Sequence, residues 1–179
     1  QMQQQPAFGS VRLDYERNGP VPQELRAELY ADLTAAIAET DVVVFSDYGK
    51  GFLDRDLIEH VLKMAGEENK PVLVDPKGRD YQKYSGVTVL TPNQKEASDA
   101  SGITITDNAS LEQAAVRLEE TVQAGAVVIT RGPSGVSVFP RDGGPVHIPA
   151  RARAVYDVTG AGDTFIAVLA SSLAPGAAT

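Results

Sequence analysis

Apolar and polar positions follow two rhythms along this chain, and the rhythm changes from segment to segment. Residues 11–16, VRLDYE, alternate one by one, which predicts a strand with one exposed face. After the break NGPVP, residues 23–39 space Leu25, Leu29, Leu33 and Ile37 four apart, on one face of a predicted helix. DVVVF at 41–45 is a short apolar run of the buried-strand type, and a helical pattern returns over 54–68. Two further buried strands are predicted, PVLVD at 71–75 and VTVL at 87–90. A short helix over 92–101 and a longer one over 110–124 come next, then a buried strand, AVVIT, at 126–130. GVSVF and PVHIP flank the turn RDGG and read as a hairpin. The last helix is predicted over 161–173.

Buried strands that alternate with helices predict an α/β fold: a parallel sheet with helices on both faces. Each buried strand runs into a polar loop: SDYGKG after the first, PKGRD led by Asp75 after the second, then TPNQKE and RGPSG. Parallel sheets bind ligands beyond the carboxyl ends of their strands, so these loops should meet on one rim.

Composition narrows the classes. A length of 179 residues suits one domain, and 42% apolar with 22% charged residues fits a globular chain. The net charge of −8, with no cluster of Lys and Arg, disfavours nucleic acid and anionic membrane as partners. The absence of cysteine excludes disulfides, thiol catalysis and Cys-based metal sites, and fits a reducing cytoplasm. No segment approaches the roughly 20 apolar residues that span a bilayer. The Gln-rich start lacks the layout of a signal peptide, so the expected location is cytoplasmic.

The chemistry concentrates in DVTGAGDTF at 157–165. The backbone N–H groups of Gly160, Ala161 and Gly162 stand at a predicted helix start, where they are unpaired within the helix and sit at its positive end. Small residues let that backbone curl into an anion nest, for which phosphate is the natural guest. Asp163 then stands beside the guest, placed to take a proton from an attacking hydroxyl. A tight turn whose acid merely complements the helix dipole explains the same residues, and spacing alone leaves both readings open. The chain has no G-x-x-x-x-G-K-[ST] loop, and GAGDTF lacks the third glycine of a dinucleotide fingerprint.

DVTGAGDTF resembles the second signature of the PfkB/ribokinase family of sugar kinases. Asn93-Gln94-Lys95-Glu96 matches the N-x-x-E motif of that family, and Thr130-Arg131-Gly132-Pro133-Ser134-Gly135 matches its T-x-G-x-x-G nucleotide segment. Within the family, SDYGKG, VDPKG, TPN and GPVHIPARARAVYDVTGAGDT look most like the D-glycero-β-D-manno-heptose-7-phosphate kinases of ADP-heptose synthesis. The resemblance implies a Rossmann-like three-layer α/β/α fold of ribokinase type. It also implies an ATP- and Mg²⁺-dependent kinase that phosphorylates the anomeric hydroxyl of heptose 7-phosphate, for lipopolysaccharide-core precursor synthesis. Asp163 would be its base, and Gly160, Ala161 and Gly162 its anion hole. Asn93 and Glu96 would organise Mg²⁺, directly or through water, with Gln94 and Lys95 beside the nucleotide. Thr130, Gly132 and Gly135 would line the nucleotide groove. Asp157 and Thr159 resemble positions where some relatives bind a monovalent cation such as K⁺.

Each of these residues also has a plainer explanation. Thr91 as N-cap, Pro92 at N1 and Gln94 at N3 account for a helix start without a metal. The glycines after Thr130 suit an ordinary turn, and Asp157 could close an Asx turn. Of the lysines near the rim, Lys50, Lys77, Lys83 and Lys95, the first two are the chosen phosphate contacts, although loop lysines are more often solvated. His60 and His147 have no metal-pair spacing, and His147 reads as a strand residue with a structural role.

Family members are longer than this chain. Residues 1–179 are expected to be a C-terminal portion of a kinase domain, with 1–22 a remnant of the lid and its connection. The resemblance implies that the front strands, the Gly-rich substrate motif, most of the lid, the helices that complete the adenine pocket and the nucleotidyltransferase half of the bifunctional version are expected outside these residues. The expected partners are a sugar phosphate and ATP, together with a second copy of the chain or the missing segments. Two alternatives stay open: another sugar or nucleoside kinase of the family, and a truncated, non-catalytic nucleotide-binding module.

Overall fold

The structure is a computed structural model that describes residues 18–150 and 161–174. Its elements run α1 (Gln23–Glu39), β1 (Val43–Ser46), α2 (Arg55–Glu67), β2 (Val72–Asp75), β3 (Val89–Leu90), α3 (Gln94–Ser101), α4 (Asn108–Val122), β4 (Ala126–Thr130), β5 (Val136–Pro140), β6 (Val146–Ile148) and α5 (Ala161–Leu173). Short 3₁₀ turns stand at Gln82–Tyr84 and Gly132–Ser134. The predicted strand at 11–16 lies outside the described residues.

The six strands form one sheet in chain order. β1 to β4 are parallel, as expected, while the hairpin β5–β6 joins it antiparallel at the β4 edge, so the sheet is mixed. The five-residue connection 131–135 from β4 to β5 is too short for the helical crossover that a parallel partner needs.

Alternation along the strands sorts the core into two layers. Phe45, Val72, Val74, Leu90, Val127 and Ile129 face one side. They pack against Leu57, Ile58, Val61 and Ala65 of α2 and Leu111, Ala115, Leu118 and Val122 of α4. Leu73, Val89 and Val128 face the other side, where Ile166 and Ala170 of α5 cover them. Helices therefore flank both faces, and the three-layer architecture follows. Burying each such aliphatic side chain contributes about 1.5–3 kcal/mol, which outweighs the small propensity differences along the helices.

α1 turns Leu29, Leu33 and Ile37 to the core, whereas Leu25, on the same stripe, is 51% exposed. α4 starts two residues before the predicted boundary because Asp107 caps it, accepting from Ser110 N at 2.8 Å. α3 starts two residues later than predicted. Thr91 is not its cap: its side chain is directed at β2, where its N–H and its hydroxyl both donate to Val74 O, at 2.8 and 3.0 Å. Asn93 caps the helix instead: its Oδ1 accepts from Glu96 N at 2.9 Å, and Glu96 Oε2 accepts from Asn93 N at 3.0 Å. This reciprocal pair is a capping box.

Candidate active site

The parallel strands end on one side, and their exits carry Asp47, Asp75, Thr91 to Asn93, and Thr130. Thr130 bridges Asn93 in a parallel pair, and its N–H donates to Pro92 O at 3.1 Å. The N-x-x-E and T-x-G-x-x-G stretches are thus adjacent.

α5 brings the fifth component. Ile166 and Ala170 form its buried stripe. Asp163 lies three and seven residues before them, so it continues that stripe beyond the strand ends and opens onto the rim. It is exposed and stands in the first turn of the helix. Ala161 and Gly162 belong to the same turn. Gly160, Asp157 and Thr159 lie outside the described residues.

Asp75 is the acid that the motifs did not single out. It ends β2 and is partly buried. Burial, then the carboxylates of Glu96 and Asp163, push its carboxyl up to about 6, against the opposing pull of Lys77. An acid at the carboxyl end of a buried strand was the available signal in the sequence. Lys77 answers this charge: its Nζ donates to Glu96 Oε1 at 2.8 Å, and that bond raises the lysine above its ordinary value.

Glu96 therefore has two duties, since one oxygen caps α3 and the other holds Lys77. Among the described residues no three His, Asp or Glu side chains are grouped to chelate a metal by themselves. Mg²⁺ needs no such cage: it takes one or two carboxylates and keeps waters and substrate phosphates. Glu96 and Asp75 supply oxygens of that kind, so the donor set fits a divalent ion that arrives with a phosphate-bearing ligand.

The other candidate residues divide. Lys95 Nζ pairs with Asp99 at 2.8 Å along the outside of α3, and Gln94 Nε2 donates to Ile105 O at 3.4 Å, so both side chains leave the rim centre. Lys50 lies in the loop after β1, where its carbonyl accepts from Gly19 N at 2.7 Å. Gly132 (φ +55°) has open space where a Cβ would stand, as a ligand-facing glycine would. Gly135 (φ +86°) is different: a Cβ there would meet Ile148 O at 2.0 Å. Its smallness lets the exit of β6 pass. Away from the rim, His60 stacks on Tyr30 and His147 Nδ1 shares a hydrogen bond with Ser137 Oγ at 2.8 Å, both structural placements.

Comparison with known proteins matches this arrangement. The sequence profile of the pfkB family carbohydrate kinases matches residues 18–178. The bifunctional protein HldE of Geobacter metallireducens is 49% identical over 166 residues, covering 93% of this chain and 34% of that protein. HldE of Helicobacter hepaticus is 44% identical over 167 residues, with the same coverage. The chain thus spans about a third of the length of the curated relatives it matches. Among solved structures, Arabidopsis thaliana ribokinase complexed with ribose and ATP superposes with a TM-score of 0.71 at 23% identity, over 81% of this chain and 46% of that one. Escherichia coli phosphofructokinase-2 in complex with potassium gives 0.69 at 19%, over 84% and 50%. These two likenesses share the fold, and the described part of the chain is a portion of the ribokinase-like domain. With the profile spanning nearly all of the described residues and its motifs meeting on one rim, the chain belongs to the pfkB family of carbohydrate kinases.

Proposed function

We propose that this chain carries the phosphoryl-transfer site of an ATP- and Mg²⁺-dependent sugar-phosphate kinase acting on the anomeric hydroxyl of D-glycero-D-manno-heptose 7-phosphate. The observation that supports it most is the convergence of Asp163, Asp75, Glu96 and Lys77 at the strand ends, beside the start of α5. The heptose assignment draws on the 44–49% identity to proteins named HldE.

In this reading Asp163 accepts the proton of the sugar hydroxyl as its oxygen bonds to the γ-phosphorus and the bond to the β,γ-bridging oxygen breaks, releasing ADP. The N–H groups of the 160–162 turn hold the transferring phosphoryl. Lys77 leaves Glu96 for the nucleotide phosphates, and Glu96 and Asp75 become free to face the metal. Mg²⁺ would supply neutralisation of phosphate charge there. Asp157 and Thr159 would hold a monovalent cation, and K⁺ against Li⁺ in the assay tests that assignment.

The test is ADP release by the purified chain with MgATP and heptose 7-phosphate, with other sugars as controls and Asp163→Asn alongside. Turnover selective for the heptose phosphate and lost in the variant supports the reading. Turnover with another sugar alone replaces the substrate, and no turnover with any sugar refutes kinase activity of this chain.

A further inference from the structure

One buried carboxylate plays no part in the reaction proposed above. Asp47 follows β1, and its side chain is 4% exposed. It accepts three hydrogen bonds: from Gly49 N at 2.7 Å, from the Tyr84 hydroxyl at 2.6 Å and from Lys83 Nζ at 2.5 Å. Burial pushes this carboxyl up, but the donors of Lys83, Tyr84 and Gly49 outweigh it and hold it below its ordinary value. Lys83 also donates to Leu53 O at 3.2 Å. It therefore grips the 47–53 loop at both ends, from a 3₁₀ turn about thirty residues away in sequence.

The grip extends to the rim. Gly49 has φ +69°, and a Cβ on it would come within 3.3 Å of Lys77 Cγ, so the loop packs directly on the stem of that lysine. The N–H of Lys77 donates to the Tyr84 hydroxyl at 3.4 Å. One hydroxyl thus touches both the buried acid and the backbone of the residue whose ammonium holds Glu96. A buried ion pair brings little stability over a well-packed apolar substitute. What it supplies is fixed geometry, and here that geometry is delivered beside a phosphate-facing lysine.

We propose that Asp47, Lys83 and Tyr84 form a positioning unit that fixes the 47–53 loop and the stem of Lys77 for binding of the nucleotide phosphates. This rests on the kinase reading above. None of the three touches the reacting atoms. They act through Lys77.

Lys83→Met and Tyr84→Phe, each in the full chain, test it, with Lys83→Arg as the conservative control. KM for MgATP is expected to rise about tenfold in the first two while kcat changes little, because misplacement of a binding group by a fraction of an ångström is costly. Lys83→Arg should recover most of the loss. Amide exchange at 48–53 and at Lys77 should accelerate in the same two variants. A purely structural role would lower melting temperature and active fraction but leave KM unchanged, and that result overturns the proposal. So does unfolding of Tyr84→Phe, which removes a single hydroxyl. If the wild-type chain shows no turnover, the kinase reading fails by itself. The unit is then judged by exchange at Lys77, where unchanged rates overturn it and faster rates support it.

Discussion

Asp75 gives the most quantitative prediction. Its carboxyl titrates at about 6 in the fold against an ordinary value of 3.8. Below pH 3.8 the folded and unfolded chains both hold the proton and the group costs nothing. Between 3.8 and about 6 the unfolded chain releases it while the fold keeps it, so stability falls as pH rises. Above that range the folded carboxylate is ionised among Glu96, Asp163 and Asp47, and the cost is complete. Each tenfold gap in proton affinity is worth about 1.4 kcal/mol, which sets an upper limit of about 3 kcal/mol. Asp75 retains contact with water, and screening reduces the expected cost to about 1–2 kcal/mol. Asp75→Asn removes the charge and keeps the shape. Urea unfolding midpoints, measured for both proteins from pH 4 to 8, should coincide near pH 4 and diverge in favour of the variant by pH 7. The same variant should lose most turnover, a site that trades stability for function. A difference between the two proteins that stays flat with pH, or that favours wild type as pH rises, would refute the argument.

Three further outcomes are expected. Asp163→Asn should leave the urea midpoint within experimental error, since the side chain is exposed, while lowering turnover by about 10²–10⁴ as expected for a lost general base. Glu96→Gln retains an acceptor for the α3 cap but loses the charge that holds Lys77. It should keep most stability and raise KM for MgATP, whereas Glu96→Ala should also cost about 1 kcal/mol in thermal unfolding. Gly135→Ala forces a Cβ into the backbone of Ile148 and should destabilise by about 4 kcal/mol or more, while Gly132→Ala meets open space and should cost about 1–2 kcal/mol of backbone strain. Melting temperatures separate the two.

The sequence by itself determined the order and type of the helices and strands among the described residues. It also determined the side of the sheet where chemistry gathers. Both depend on local rhythm: apolar runs such as VLVD have to be buried, and a helix opened by GAGDTF has to expose its first N–H groups. It also carried the family resemblance, because DVTGAGDTF and the N-x-x-E stretch are contiguous. Tertiary structure decided what depends on neighbours distant in the chain. Thr91 looks like a cap until β2 is laid beside it and its hydroxyl is directed at Val74 O. That Gly135 must also be small enough for β6 to pass is visible only once β6 returns across it. Asp75 is an ordinary acid until burial strips part of its water and Glu96 and Asp163 arrive from other elements. Lys83 is one more loop lysine until β1 brings Asp47 to it. A pattern along the chain records what each segment must bury, whereas a charge, a cap or a clash is set by which other segment comes to lie beside it.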